Sequence, residues 1–139
     1  RNLLETARPL AKRRLITVFG CGGDRDRSKR PLMGMVAARL SDVVVITSDN
    51  PRSEDPARII EEATRGAQPE VRSGKELLTI VDRRDAIMQA VRRAQPGDVV
   101  LIAGKGHEKY QEVAGRGFPF DDVAVAREAL TARRVSRVG

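Results

Sequence analysis

The sequence predicts an α/β domain: a mostly parallel sheet with helices on both faces and an antiparallel hairpin at its edge. Three observations lead there. Leu15–Phe19, Val43–Thr47 and Asp98–Ala103 are short apolar runs of the kind that make strands buried on both faces. Amphipathic helical patterns alternate with these runs. Each run also passes directly into a polar cluster, and open α/β sheets bind ligands beyond the carboxyl ends of their strands.

In chain order, Leu3, Leu4, Ala7, Leu10 and Ala11 fit one helical face, which Pro9 interrupts or kinks. The strand Leu15–Phe19 runs into Gly20-Cys21-Gly22-Gly23 and then into Asp24, Arg25, Asp26, Arg27, Lys29 and Arg30. Pro31 suits a first helical turn, and Leu32, Met33, Val36, Ala37 and Leu40 supply the expected apolar face. Val43–Thr47 ends in Ser48-Asp49-Asn50-Pro51-Arg52. Ser53-Glu54-Asp55-Pro56 starts a helix carrying Ile59, Ile60 and Ala63, which Gly66 and Pro69 terminate. Leu77–Val81 reads as a short strand, and Asp82 caps a helix with Ala86, Ile87, Ala90, Val91 and Ala94 inside. Pro96-Gly97 turns the chain into Asp98–Ala103, and Gly104-Lys105-Gly106-His107-Glu108 follows. Tyr110–Val113 and Phe118–Phe120 flank Gly115-Arg116-Gly117 as a hairpin. Asp121 or Asp122 caps a last helix, and residues 135–139 read as a frayed tail.

The 139 residues suffice for one core, and 40% are hydrophobic. Aromatics are only 3% and Trp is absent, which argues against a stacking platform for single-stranded nucleic acid. The net charge of +7 is concentrated toward the termini and equally suits an acidic small substrate. One cysteine allows neither an intrachain disulfide nor a cysteine-rich metal site. No apolar run approaches membrane-spanning length and no secretory signal is visible, so the expectation is a cytoplasmic domain without a membrane or nucleic-acid partner. Arg1 is not a natural start, so the chain is expected to be a fragment of a longer protein.

The three polar clusters can face one ligand. The glycine loop is not a P-loop, because no GxxxxGK[ST] run exists, although its cations can still serve a phosphate held elsewhere. Asp49-Asn50-Pro51-Arg52 offers an anion for an ammonium and a planar cation for a carboxylate, a combination suited to an amino acid. The same tetrapeptide can be a plain Asx-Pro turn. Glu108, beside two glycines, suits another ammonium contact, whereas the single His107 reads as structural. Cys21 reads as a small buried thiol, and Arg83, Arg84, Arg92 and Arg93 as a solvated helix face.

Taken together, GCGGDRDRSKRPLMG at Gly20–Gly34, SDNPRSEDP at Ser48–Pro56, DRRDAI at Asp82–Ile87, AGKGHEKYQ at Ala103–Gln111 and PFDDVAVAREAL at Pro119–Leu130 resemble the C-terminal domain of the Mur ligases. These are ATP-dependent amino-acid ligases of peptidoglycan synthesis. The resemblance spans the chain and is nearest to the members that add meso-diaminopimelate to UDP-N-acetylmuramoyl-L-alanyl-D-glutamate. It implies a Rossmann-like domain over residues 1–134, followed by the tail 135–139. It further implies two preceding domains. One holds the UDP end of the acceptor; the other carries the P-loop, a carbamylated lysine and most contacts to ATP and Mg2+. The isolated third domain is then expected to be inactive. By motif, diaminopimelate contacts fall on Arg25, on Asp49, Asn50, Pro51 and Arg52, and on Gly104 and Glu108. The resemblance places no catalytic base and no metal ligand on this chain. Lysine-adding relatives replace the arginine at Arg52, so Arg52 points to diaminopimelate. The alternative is a free-standing regulatory module that binds a nucleotide or an amino acid.

Overall fold

The structure, a computed structural model, describes residues 2–103, 110–113 and 116–138. The elements in order are α1 (Asn2–Ala7), a 3-10 turn (Arg8–Leu10), β1 (Leu15–Cys21), α2 (Lys29–Leu40), β2 (Val43–Ser48), α3 (Pro56–Ala67), a second 3-10 turn (Gln68–Glu70), β3 (Glu76–Thr79) and α4 (Arg83–Arg93). They continue with β4 (Val99–Ile102), β5 (Tyr110–Val113), β6 (Arg116–Pro119) and α5 (Asp122–Val138).

Four strands form a parallel sheet in the order β3-β2-β1-β4. Every residue of β1 and β2 is buried. Successive side chains feed opposite faces, as the two-residue period of a strand requires. Leu15, Phe19, Val44 and Ile46 join the core under α1, α2 and α3, whereas Ile16, Val18, Val43 and Val45 join the core under α4 and α5. Covering both faces is what makes these strands continuously apolar. The β5–β6 hairpin is antiparallel, as expected, but it forms its own two-stranded sheet.

The helix starts follow the sequence signals. Asp55 accepts a hydrogen bond from the Ala57 N–H, with Pro56 the first helical residue. Asp82 accepts from Arg84 and Asp85, and Asp121 from Val123 and Ala124. The backbone of α5 is helical through Val138, past the point where the sequence reading ended the element.

One helix face departs from expectation. Leu32 and Met33, read as core residues of α2, are exposed and line an open apolar cleft with Leu4, Phe19 and Val36. Of the expected face, Ala37 is buried and Val36 and Leu40 pack partly buried against the core, and Arg30, Gly34 and Ala38 complete the buried face of α2. The reason is close helix packing. A Cβ on Gly34 would lie 2.0 Å from the Ala63 carbonyl oxygen, and one on Gly66 would lie 1.7 Å from that of Pro31. The two missing side chains let α2 and α3 meet backbone to backbone.

Candidate amino-acid site

The site is built where β1 and β2 end side by side, Cys21 opposite Ser48. The loops that follow are joined to each other at several points. The Gly23 N–H donates to the Asn50 carbonyl at 2.6 Å. A side chain at Gly23 is impossible, since its Cβ would lie 1.8 Å from the Pro51 carbonyl oxygen. The Asp24 N–H donates to Glu54 Oε2 at 2.6 Å, and Ser53 Oγ donates to Asp24 Oδ1 at 2.5 Å. Arg52 Nη1 donates to the Gly23 carbonyl at 2.9 Å. Asp24 and Arg52 both sit in the left-handed region, at φ +53° and +52°. Such residues cost about 1 kcal/mol or more each and persist where surrounding bonds over-determine them, commonly at ligand sites.

These loops enclose a cleft of about 480 Å³ with Gly20, Cys21, Gly22 and Met33 in its wall. The polar groups facing it are Arg25, Asp26, Lys29, Asp49, Asn50 and Arg52. Cations and carboxylates therefore line one small volume together. Such a lining complements a ligand that carries both signs of charge. Asn50 is fully buried and Arg25 is exposed at the mouth.

Arg30 lines the same wall but is committed to the fold. Its guanidinium is buried and donates to Glu54 at 2.6 Å, Glu62 at 2.9 Å and the Gly22 carbonyl at 3.1 Å. Arg27 pairs with Glu62 from the other side. The hydrogen bond from Arg30, then that from the Asp24 N–H, holds the Glu54 carboxyl down to about 2. The bond from Arg27, with Arg30 adding to it against the effect of burial, holds Glu62 at about 2. The charged loop is thus clamped onto α3, whereas Lys29 remains exposed. Burial pushes the Cys21 thiol up to about 11, and its Sγ lies 3.7 Å from Met33 Sδ, which matches the inert thiol expected.

The structure brings Arg25, Asp49, Asn50 and Arg52 to one cleft. Pro51 is buried and supports Gly23 from behind. Gly104 and Glu108, like Lys105 and His107, lie outside the described residues. Two residues near the site escaped sequence reasoning. Gln111 on β5 donates to the Asp49 carbonyl at 2.7 Å. Arg83 is a correction: it is not on a solvated face but completely buried, paired with Asp122 at 2.7 Å. A signal for it existed, because Arg83 stands three and four residues before Ala86 and Ile87, on their side of the helix. Arg84, in contrast, pairs across the surface with Glu128.

No helix among the described residues is long and apolar enough to cross a membrane. Nor does any group of three His, Cys, Asp or Glu side chains among them suit a metal ion.

Comparison with known proteins identifies the family. The family described as "Mur ligase, glutamate ligase domain" matches residues 1–106. The chain is 58% identical over 129 residues to the UDP-N-acetylmuramoyl-L-alanyl-D-glutamate--2,6-diaminopimelate ligase of Syntrophomonas wolfei subsp. wolfei, covering 93% of this chain and 26% of that protein. It is 55% identical over 132 residues to the ligase of the same name from Thermosynechococcus vestitus, covering 95% of this chain and 26% of that protein. A solved structure of a ligase of that name superposes with a TM-score of 0.87 at 46% identity, over 96% of this chain and 27% of the other. The chain therefore spans about a quarter of the length of these relatives. With a family match over most of its length and a shared fold, the chain belongs to the Mur ligase family and represents its glutamate ligase domain.

Proposed function

We propose that this domain binds the incoming amino acid in an ATP-dependent ligase that adds meso-diaminopimelate to UDP-N-acetylmuramoyl-L-alanyl-D-glutamate in cytoplasmic peptidoglycan synthesis. The carrying observation is the cleft in which Arg25, Lys29 and Arg52 face Asp26 and Asp49. Diaminopimelate has an ammonium and a carboxylate at each end. Arg52 and Arg25 are suited to its carboxylates and Asp49 to an ammonium. The motif expectations for Gly104 and Glu108 belong to the same reading. Its chemistry is amide formation: the acceptor's γ-carboxyl, activated as an acyl phosphate, is attacked by the amine that this domain orients. The names of the relatives favour a ligase over a free-standing regulatory module. The chain has no Walker A run, and this reading, following the resemblance, gives most contacts to ATP and Mg2+ to the other domains of the ligase.

The experiment compares diaminopimelate with lysine, which lacks the distal carboxylate. Arg52→Ala in the full-length protein leaves that carboxylate desolvated, at a cost of roughly 2–5 kcal/mol. The expected fall in kcat/KM for diaminopimelate is about 30- to 4000-fold, at 1.4 kcal/mol per decade, with a proportionally smaller fall for lysine. Arg52→Lys should not restore activity, because an ammonium cannot reproduce the planar fork. An unchanged diaminopimelate-to-lysine ratio in Arg52→Ala would reduce Arg52 to a turn residue.

A further inference from the structure

We propose that Arg83, held by Asp122, is a positioning residue for the amino-acid site: it ties the carboxyl ends of β2 and β4 together and so holds the Asp49–Arg52 turn that leaves β2. This rests on the proposed function for the identity of the ligand, but its geometry stands on its own. Arg83 Nη1 donates to the carbonyl of Ser48, the last residue of β2, at 3.0 Å. Nη2 donates to the carbonyl of Ala103, the residue after β4, at 3.2 Å. Asp122, at the start of α5, receives Nε at 2.8 Å and Nη2 at 2.7 Å, which fixes the plane of the fork.

β2 and β4 are not neighbours; β1 lies between them. The sheet's own ladder therefore couples these two ends only through a third strand. One guanidinium couples them directly. Ser48 is followed at once by Asp49-Asn50-Pro51-Arg52, and Ala103 by Gly104 through Glu108. The clamp thus sits one residue before each of the two polar clusters. Stability alone is a poor reason for it, since apolar residues of similar volume often serve a buried position at least as well as an ion pair. Carbonyls at strand ends need donors, and a planar five-donor group reaches two of them in a fixed geometry where an ammonium does not.

The test uses the full-length protein with Arg83→Lys, Asp122→Asn and, as a control in the same core, Ile87→Val, which removes one buried methylene from α4. Two readouts are taken: KM for diaminopimelate and for ATP with kcat, and amide hydrogen exchange of the segments 49–52 and 101–103. Arg83→Lys is expected to raise the diaminopimelate KM at least tenfold while the ATP KM stays within twofold. It should also accelerate exchange at 49–52 and at 101–103 at least tenfold. Asp122→Asn should shift both readouts in the same direction, and Ile87→Val neither. Unchanged exchange and KM in the Arg83 and Asp122 variants, or equal changes in Ile87→Val, would overturn the proposal. So would failure of both variants to accumulate as folded protein, which would assign Arg83 to the core alone. A wild-type enzyme indifferent to diaminopimelate would sink the proposed function instead, while the exchange readout would still report on the clamp.

Discussion

Substituting Gly66 by Ala tests the packing that holds the charged loop in place. On helix propensity alone the change gains about 1 kcal/mol, since glycine is the poorer helix former. Tertiary contact reverses the sign. The new Cβ would lie 1.7 Å from the Pro31 carbonyl oxygen and 2.5 Å from its carbon, where ordinary contact begins at 3.4 Å. Both partners are backbone, so α2 and α3 must separate by well over an ångström; no side chain can swing aside. Overpacking of this kind costs roughly 1–3 kcal/mol. Pro31 follows Arg30, whose bonds to Glu54 and Glu62 at 2.6 and 2.9 Å would be stretched by the same movement. Breaking a buried pair costs about 3–5 kcal/mol. Allowing for partial relaxation and the propensity gain, the net loss should be about 2–4 kcal/mol, or roughly 30- to 700-fold in the folding equilibrium. Urea unfolding at neutral pH reads this from the midpoint at constant slope. Gly74→Ala is the control: nothing lies within 4 Å of its Cβ, and at φ +88° it should lose only about 1 kcal/mol to backbone strain. A Gly66→Ala protein as stable as wild type, or more so, would refute the close-packing account of α2 and α3.

Two further outcomes follow from the electrostatics. Glu54 and Glu62 titrate near 2 in the fold against an ordinary 4.5, so their contribution is complete above about pH 5 and is lost as pH falls toward 2. The urea midpoint of wild type should drop over that window, and Glu62→Gln should start lower and drop less; parallel curves would show that this network does not carry the acid sensitivity. Cys21, with its thiol near 11, should react with a thiol reagent at pH 8 at least about 100-fold more slowly than a free thiol of pKa 8.5, until urea unfolds the protein. Immediate stoichiometric labelling of the native protein would contradict its burial.

Wherever a signal is local, the sequence carried it. The caps at Asp55 and Asp82 need only a side chain and the next two or three amides. The buried strands β1 and β2 need only unbroken apolar runs. Arg25, Asp49, Asn50 and Arg52 follow strand ends, and parallel strands deliver such loops to one edge, where the four residues line one cleft.

Tertiary structure decided what depends on partners far along the chain. Arg30 meets Glu62 across 32 residues and Arg83 meets Asp122 across 39. Arg27 and Arg84 stay exposed, and the place of Arg83 ahead of Ala86 and Ile87 marks its side of the helix but not the carboxylate it meets. A charged side chain is read as solvated because burying it is costly, and only the arrival of a carboxylate and several carbonyls at the same point reverses that balance. Helix α2 shows the apolar counterpart. Its leucine and methionine looked like the core face, yet Gly34 and Gly66 let two backbones touch, and that contact turned Leu32 and Met33 outward. Sequence therefore determined most of the elements and the sheet edge at which the cleft forms. The tertiary structure chose which helix faces meet and which charges are buried, because both depend on a partner's shape that no single segment contains.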